Sequence, residues 1–257
     1  MKRFFLVLSF LLLAVLAGCV LLLGISGLSS RMREKQSAQL EGKSFSVLGD
    51  SLSAYVGYTP EGLTGYYTPE NFGVESMWWS IVARETGMEP CVINTGGGTG
   101  VTELLEDAGV PTAGNSVRCE NLYTQEQTPD VIFVLLGGND VIQGVPENTI
   151  ENSYEEMLER MQKAYPSAEI YVCTYYKMPG YLREPMIQLN ELIRKIAEKE
   201  GIACIDLEDC EISAGDPQDY IQDYNAEEQS GVHANQKGQK IMGETIVSSF
   251  FQIRNSK

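Results

Sequence analysis

Positive charge is scarce in this chain. Against 35 Asp and Glu there are 19 Lys and Arg over 257 residues, a formal net charge of −16. No basic cluster offsets it, which excludes nucleic acid as a partner. The balance suits a soluble surface and neutral substrates, since a polyanionic substrate would need a local basic pocket that the sequence does not display. Metal-binding cysteine spacing is missing too: Cys19, Cys91, Cys119, Cys173, Cys204 and Cys210 form no CxxC or zinc pattern. Cys91, Cys173 and Cys204 fall in predicted strands, where a thiol reads as a small buried hydrophobe, and a Cys91–Cys119 pair stays open. There are no internal repeats and no low-complexity segment, and histidine occurs once, as His233.

What is present begins with an apolar N-terminus. Lys2 and Arg3 precede an uncharged run from Phe4 to about Leu28, about 25 residues and long enough to cross a bilayer as a helix. Leu16-Ala17-Gly18-Cys19 resembles a bacterial lipobox, which would leave Cys19 lipidated after removal of residues 1–18. The apolar run continues through Val20–Ile25, which favours an uncleaved signal anchor instead. On either reading residues 1–28 tether the chain to a cell membrane, with the rest expected outside the cytoplasm. Residues 29–43 are polar, lack a core-facing stripe and read as a linker. Residues 44–257 make one domain large enough to bury a full core.

That domain alternates short apolar runs with longer amphipathic ones. Strands are predicted at Phe45–Leu48, Pro90–Asn94, Asp130–Leu136, Glu169–Thr174 and Ala203–Leu207, and helices over about 75–87, 151–164, 185–200 and 236–251. In the third helix Leu189, Leu192, Ile193 and Ile196 recur at helical spacing and make one buried face. Such a β–α order predicts an α/β protein, a parallel sheet covered on both faces by helices. Its site should lie beyond the carboxyl ends of the strands.

The segments after the strands therefore carry the candidate chemistry. The first strand ends in Gly49-Asp50-Ser51, placing a serine where the free N–H groups of a turn gather. Ser51 is there either a nucleophile or a helix N-cap. In the long connection 53–74, Tyr55, Tyr58, Tyr66 and Tyr67 could stack on a sugar or an acyl group or pack the loop onto the domain, while at least one of Trp78 and Trp79 reads as core. The second strand runs into Asn94-Thr95-Gly96-Gly97-Gly98-Thr99-Gly100-Val101-Thr102, whose bare backbone can approach a ligand. Walker spacing and its lysine are absent, and strand one lacks the dinucleotide glycine signature; a close approach to an oxyanion fits better. After the third strand, Gly137-Gly138-Asn139-Asp140 is a turn whose Asn139 side chain could donate to an oxyanion. His233, just before the last helix, has the one side chain whose unperturbed pKa suits proton transfer near neutrality, and it can reach the rim where Ser51 lies.

Together, Gly49-Asp50-Ser51, the glycines after strand two, Gly137-Gly138-Asn139-Asp140 and His233 resemble the SGNH (GDSL) hydrolase family, over about residues 44–252. The resemblance implies a flavodoxin-like three-layer α/β/α fold on a parallel five-stranded sheet, and serine ester hydrolysis with no metal or organic cofactor. Ser51 would be the nucleophile and His233 the general base. The oxyanion hole would come from the Ser51 N–H, the Asn139 side chain and the N–H of Gly98, because Gly98-Thr99-Gly100-Val101 looks similar to the family's Gly-Ser-x-Val run; Gly100 is the fallback. One departure matters. The family's Asp three residues before the histidine is Ser230 here, and Ala234 stands where Pro is common. In a serine protease, turning the triad Asp into Asn costs about 10⁴ in kcat. The first reading is therefore a Ser51–His233 dyad, oriented by a backbone carbonyl or Ser230 Oγ. The second is an acid from elsewhere, Asp223, Glu227 or Glu228, and the third is lowered or lost activity. The expected substrate is a small-molecule or glycan ester, short acyl or O-acetyl. The alternatives are a membrane-tethered O-acyltransferase using the same residues and a non-catalytic glycan-binding relative.

Overall fold

Six consecutive buried residues, Ser44–Gly49, make the central strand β1, and burial on both faces is what a parallel sheet demands of its middle strands. The computed structural model describes residues 37–102 and 116–256. The predicted anchor, with Cys19, and the first half of the predicted linker lie outside the described residues. Among the described residues no helix is long and apolar enough to cross a membrane. The chain divides into two units, Met1–Glu41 and Gly42–Lys257. In the first, the described residues form a turn in which the Leu40 N–H donates to the Ser37 carbonyl at 2.9 Å.

In the second unit β1 is joined by β2 (Glu89–Thr95), β3 (Val131–Leu135), β4 (Glu169–Cys173) and β5 (Ala203–Ile205) in one parallel sheet of order β2-β1-β3-β4-β5. The helices are α1 (Trp78–Thr86), α2 (Ser116–Cys119), α3 (Gly138–Ile142), α4 (Glu147–Ala164), α5 (Arg183–Glu200), α6 (Glu211–Ala214), α7 (Pro217–Tyr220) and α8 (Gln236–Asn255). On one face of the sheet Phe133 of β3 meets Trp78 of α1 and Phe250 of α8, with ring centroids 6.2 and 5.7 Å apart. Burying one such ring is worth about 2–3 kcal/mol. Ile132 and Val134 point the other way, as strand alternation requires, and α4 and α5 pack on each other away from the α1–α8 pair. The predicted stripe of α5 is the buried one, with Leu189, Leu192, Ile193 and Ile196 all 5% exposed or less.

Several boundaries differ from expectation, and α8 runs four residues further, to Asn255; two of the shifts have a local cause. α4 begins at Glu147 rather than near 151, because Pro146 presets the cap and Glu147 suits the positive end of the helix. Its first three residues, Glu147-Asn148-Thr149, are polar and give periodicity nothing to catch. β5 stops at Ile205 because the Asp206 carboxylate turns to Thr174 Oγ1 (2.7 Å) and Arg194 Nε (2.9 Å). The Cys91–Cys119 pair does not form. Both thiols are free, and Cys91 Sγ faces the Gln127 carbonyl at 3.4 Å.

The strand order positions the site. From β1 the chain steps to β2 on one side, then crosses back to β3 on the other, so the loops leaving β1 and β3 diverge. A crevice opens at their carboxyl ends, with Gly49 paired to Thr95 of β2 and Leu135 of β3.

Candidate active site

The serine turn is built from β1 outward. Asp50 leaves the strand extended, and its carboxylate accepts the Leu52 N–H at 2.9 Å, capping the short 3₁₀ turn Ser51–Ser53. Asp50 therefore does the capping, and the Ser51 hydroxyl is left for other partners. A Cβ at Gly49 would lie 2.8 Å from Ser53 Oγ, so the strand exit needs a glycine. The turn is clamped from outside: Trp78 and Trp79 donate their indole N–H groups to Ser53 Oγ and the Ser53 carbonyl, each at 3.0 Å, and Gln239 donates to the Leu52 carbonyl at 2.9 Å. The tryptophans are core residues, 0% and 3% exposed, and they also hold the nucleophile's turn.

His233 reaches this turn from just before α8. Its Nε2 lies 2.9 Å from Ser51 Oγ and its Nδ1 2.6 Å from Asp223 Oδ2. The other Asp223 oxygen accepts the backbone N–H groups of Val232 (3.0 Å) and His233 (2.8 Å). Half-burial pushes the Asp223 carboxyl up, but the hydrogen bonds from the His233 ring and backbone outweigh it and hold the group below its ordinary range. An ionised Asp223 accepts only, so Nδ1 carries the proton and the Nε2 lone pair faces the Ser51 hydroxyl.

Neither Ser230 nor Glu228 takes that place. Ser230 Oγ lies 3.5 Å from Glu228 Oε2, and the backbone N–H groups of Glu227 and Glu228 donate to Asn225. The dyad oriented by Ser230 is thus corrected to a three-membered chain through Asp223. The reason is a fold-back. Antiparallel bridges Ile221–Ala234 and Asn225–Ser230 bring position 223 opposite 232, next to His233, so the carboxylate arrives across a hairpin rather than along one turn of chain.

The other wall comes from β2 and β3. Gly137 adopts φ +110°, a left-handed conformation that only glycine takes without strain, and starts α3. Asn139 Nδ2 donates to the Thr99 carbonyl at 2.8 Å, which leaves its second N–H for another acceptor. Asp140 is fully buried and pins the glycine-rich loop, accepting from Val101 N (2.9 Å), Thr102 N (2.9 Å) and Thr102 Oγ1 (2.6 Å). Within that loop the Gly96 and Gly97 N–H groups donate to the Gly49 and Thr64 carbonyls at 3.2 and 2.7 Å. Among the described residues the N–H groups of Ser51, Gly98 and Gly100 have no acceptor. Gly98 is exposed at φ +74° and Gly100 is buried. Asn139 bonds the Thr99 carbonyl, so the loop touches it between these two glycines.

Two supports are missing from the residues expected from sequence. Tyr175, beyond the carboxyl end of β4, donates its hydroxyl to Asp50 Oδ2 at 2.6 Å and accepts the Gly138 N–H at 3.1 Å, tying the serine turn to the asparagine turn. Its backbone is held in turn by the Asn190 side chain, with both bonds at 2.8 Å. Burial pushes the Asp50 carboxyl up to about 6 against the opposing bonds from Tyr175 and Leu52. Arg118, itself buried, donates to the Gly49 carbonyl (3.0 Å) and the Asn94 carbonyl (2.9 Å). The rule that marks post-strand residues could have found Tyr175; nothing in the sequence singles out Arg118. Of the four loop tyrosines, Tyr55 and Tyr67 are buried, Tyr58 is half-exposed against Trp79, and Tyr66 lies on His233.

A flavodoxin-like sheet with serine, histidine and aspartate linked at its carboxyl edge, and an Asn-bearing turn beside them, defines the SGNH class of α/β proteins. The chain belongs to the GDSL-like lipase/acylhydrolase family, whose sequence profile matches residues 47–241. It is 26% identical to an arylesterase of Vibrio mimicus over 61% of this chain and 66% of that one. Of a second curated relative, from Acetivibrio thermocellus, it spans 42% of the length at 22% identity. Among solved structures, a candidate GDSL-like lipase from Bacteroides ovatus superposes with a TM-score of 0.60 at 23% identity, covering 82% of this chain and 98% of that one. Est24, a carbohydrate acetylesterase from Sinorhizobium meliloti, gives 0.59 at 15% identity, covering 82% and 99%.

Proposed function

We propose that this protein is a serine esterase that cleaves small acyl esters, O-acetyl groups on carbohydrates foremost. The observation that carries this reading is the continuous chain Ser51 Oγ–His233 Nε2 (2.9 Å) and His233 Nδ1–Asp223 Oδ2 (2.6 Å) at the carboxyl edge of the sheet. In the first half-reaction His233 Nε2 takes the Ser51 proton as Oγ bonds to the ester carbonyl carbon. Negative charge collects on the carbonyl oxygen, within reach of the Ser51 N–H and the free N–H of Asn139, with Gly98 or Gly100 as the third donor. The imidazolium then gives its proton to the departing alcohol. In the second half-reaction water attacks the Ser51 ester, His233 takes the water proton, and the acid leaves as Oγ recovers a proton. Asp223 holds the ring and stabilises its positive charge in both halves.

The acetyl and carbohydrate preference is supported by the kinds of protein this fold resembles, Est24 and a family two carbohydrate esterase of Clostridium thermocellum. An extracytoplasmic tether through Phe4–Leu28 would place the enzyme beside such glycans.

The test is turnover by the full chain in detergent on p-nitrophenyl acetate, p-nitrophenyl butyrate and acetylated oligosaccharides. Ser51-dependent release, faster with acetyl than with butyryl esters, is expected. Absence of Ser51-dependent release from every ester overturns the reading, and transfer of acetyl to a sugar hydroxyl faster than to water replaces hydrolase with transferase. Asn139→Ala should lower kcat about 10²–10³-fold with a smaller change in KM, the usual cost of one oxyanion donor. An unchanged kcat would remove Asn139 from the hole.

A further inference from the structure

The loop that follows the serine turn comes back to cover the histidine. The N–H groups of Tyr66 and Tyr67 both donate to the Ala54 carbonyl at 2.9 Å, and the Val56 N–H donates to the Tyr67 carbonyl at 2.8 Å. The two passes of the loop lie so close that a Cβ at Gly65 would sit 2.7 Å from the Val56 nitrogen. Tyr66 is thereby fixed one turn beyond Ser51. Its ring lies flat on the His233 imidazole, with centroids 3.4 Å apart and planes 12° from parallel. Tyr67 meets the same imidazole edge-on at 6.4 Å and 80°. The Tyr66 hydroxyl lies beside the Gln222 side chain, and the Gln222 N–H donates to the His233 carbonyl at 2.8 Å. The tyrosine is therefore tied to the nucleophile's turn through its backbone and lies against the histidine's own segment through its ring.

We propose that Tyr66 is a positioning residue for His233: its ring fixes the imidazole plane on the line between Ser51 and Asp223 and stabilises the imidazolium formed when Ser51 gives up its proton. A flat ring contact removes rotation about the last side-chain torsion, which is broad for histidine. The negative face of an aromatic ring attracts a cation seated on it. Other groups face His233 as well: the Asp223 carboxylate from the fold-back segment, the buried Asp50 carboxyl and Ser51 from the serine turn, and Tyr67 from the same loop. Tyr176, from beyond β4, donates to the Val232 carbonyl next to it. All of these stay in place when only the Tyr66 ring is changed, so the contrast between variants isolates the stack.

This inference rests on His233 being the base, yet it can be tested without turnover. His233 is the chain's one histidine, so full-length protein labelled with ¹³C at histidine Cε1 gives a single resonance to titrate. In wild type and Tyr66→Phe the Cε1 proton should carry the same upfield ring-current shift and the same midpoint. In Tyr66→Leu that shift should vanish and the midpoint should fall by about half a pH unit to one unit, because the imidazolium has lost its aromatic face while the site stays covered. Where ester turnover is measurable, the acid limb of kcat/KM should move down by the same amount in Tyr66→Leu alone. A Leu variant that keeps the wild-type midpoint overturns the proposal, as does one that keeps the ring-current shift. If Tyr66→Leu does not fold, Tyr66→Met fills the space without a ring and is read the same way.

Discussion

Asp223→Asn should lower kcat about 10³–10⁴-fold while leaving KM within a few-fold. The carboxylate accepts from His233 Nδ1 at 2.6 Å and from two backbone N–H groups. An amide in its place can present an N–H to Nδ1, which turns the imidazole to the tautomer whose Nε2 bears a hydrogen and cannot accept the Ser51 proton. Stabilisation of the imidazolium disappears in the same step. Ser230→Ala and Glu228→Gln should stay within about twofold of wild type, as surface substitutions do, since neither residue bonds the imidazole. Steady-state kinetics on one chromogenic acetate separates the cases. A silent Asp223→Asn beside a damaged Ser230→Ala would restore the dyad held by Ser230.

The second large effect belongs to the nucleophile and its base. Ser51→Ala and His233→Ala should each lower kcat on the order of 10⁴–10⁶-fold, and the double variant should be no worse than either single one. Non-additivity is the informative part. The two side chains act on one proton across 2.9 Å, so removing either removes the same step. Multiplying losses would mean that His233 and Ser51 serve different steps. Circular dichroism of each variant separates lost chemistry from lost structure, and Ser51, which makes no packing contact of the kind Trp78 makes, should leave stability near wild type.

Much of the architecture can be read from local pattern. The run Phe45–Leu48 is apolar because both faces of β1 are covered, and Leu189, Leu192, Ile193 and Ile196 repeat because one side of α5 is buried. Ser51, Asn139 and His233 stand out because each follows a strand or precedes a helix at the sheet's carboxyl edge, where backbone geometry alone aims a side chain at the crevice. Asp223 was legible only as one of several nearby acids. Its selection over Glu227 and Glu228 depends on two isolated bridges and the fold-back they close, pairings that no residue period encodes. Tyr66 illustrates the same limit. A tyrosine in a long loop reads equally as a sugar platform or as packing, and only the return of the loop to Ala54 shows that its face is taken by the imidazole. Arg118 lay furthest from view, since a lone arginine in sequence reads as surface, whereas here it is 2% exposed and ties the ends of β1 and β2 together.

Covalent capture at Ser51 tests the central claim most directly. The full chain would be incubated with diethyl p-nitrophenyl phosphate, whose phosphorus takes the place of the ester carbonyl carbon and stays on the attacking oxygen when p-nitrophenolate leaves. Peptide masses should show one diethylphosphoryl group per chain, on Ser51, with none in Ser51→Ala and capture slowed by orders of magnitude in His233→Ala. A chain that hydrolyses esters yet takes no phosphoryl group on Ser51, or takes it on another residue, would contradict a Ser51 acyl-enzyme.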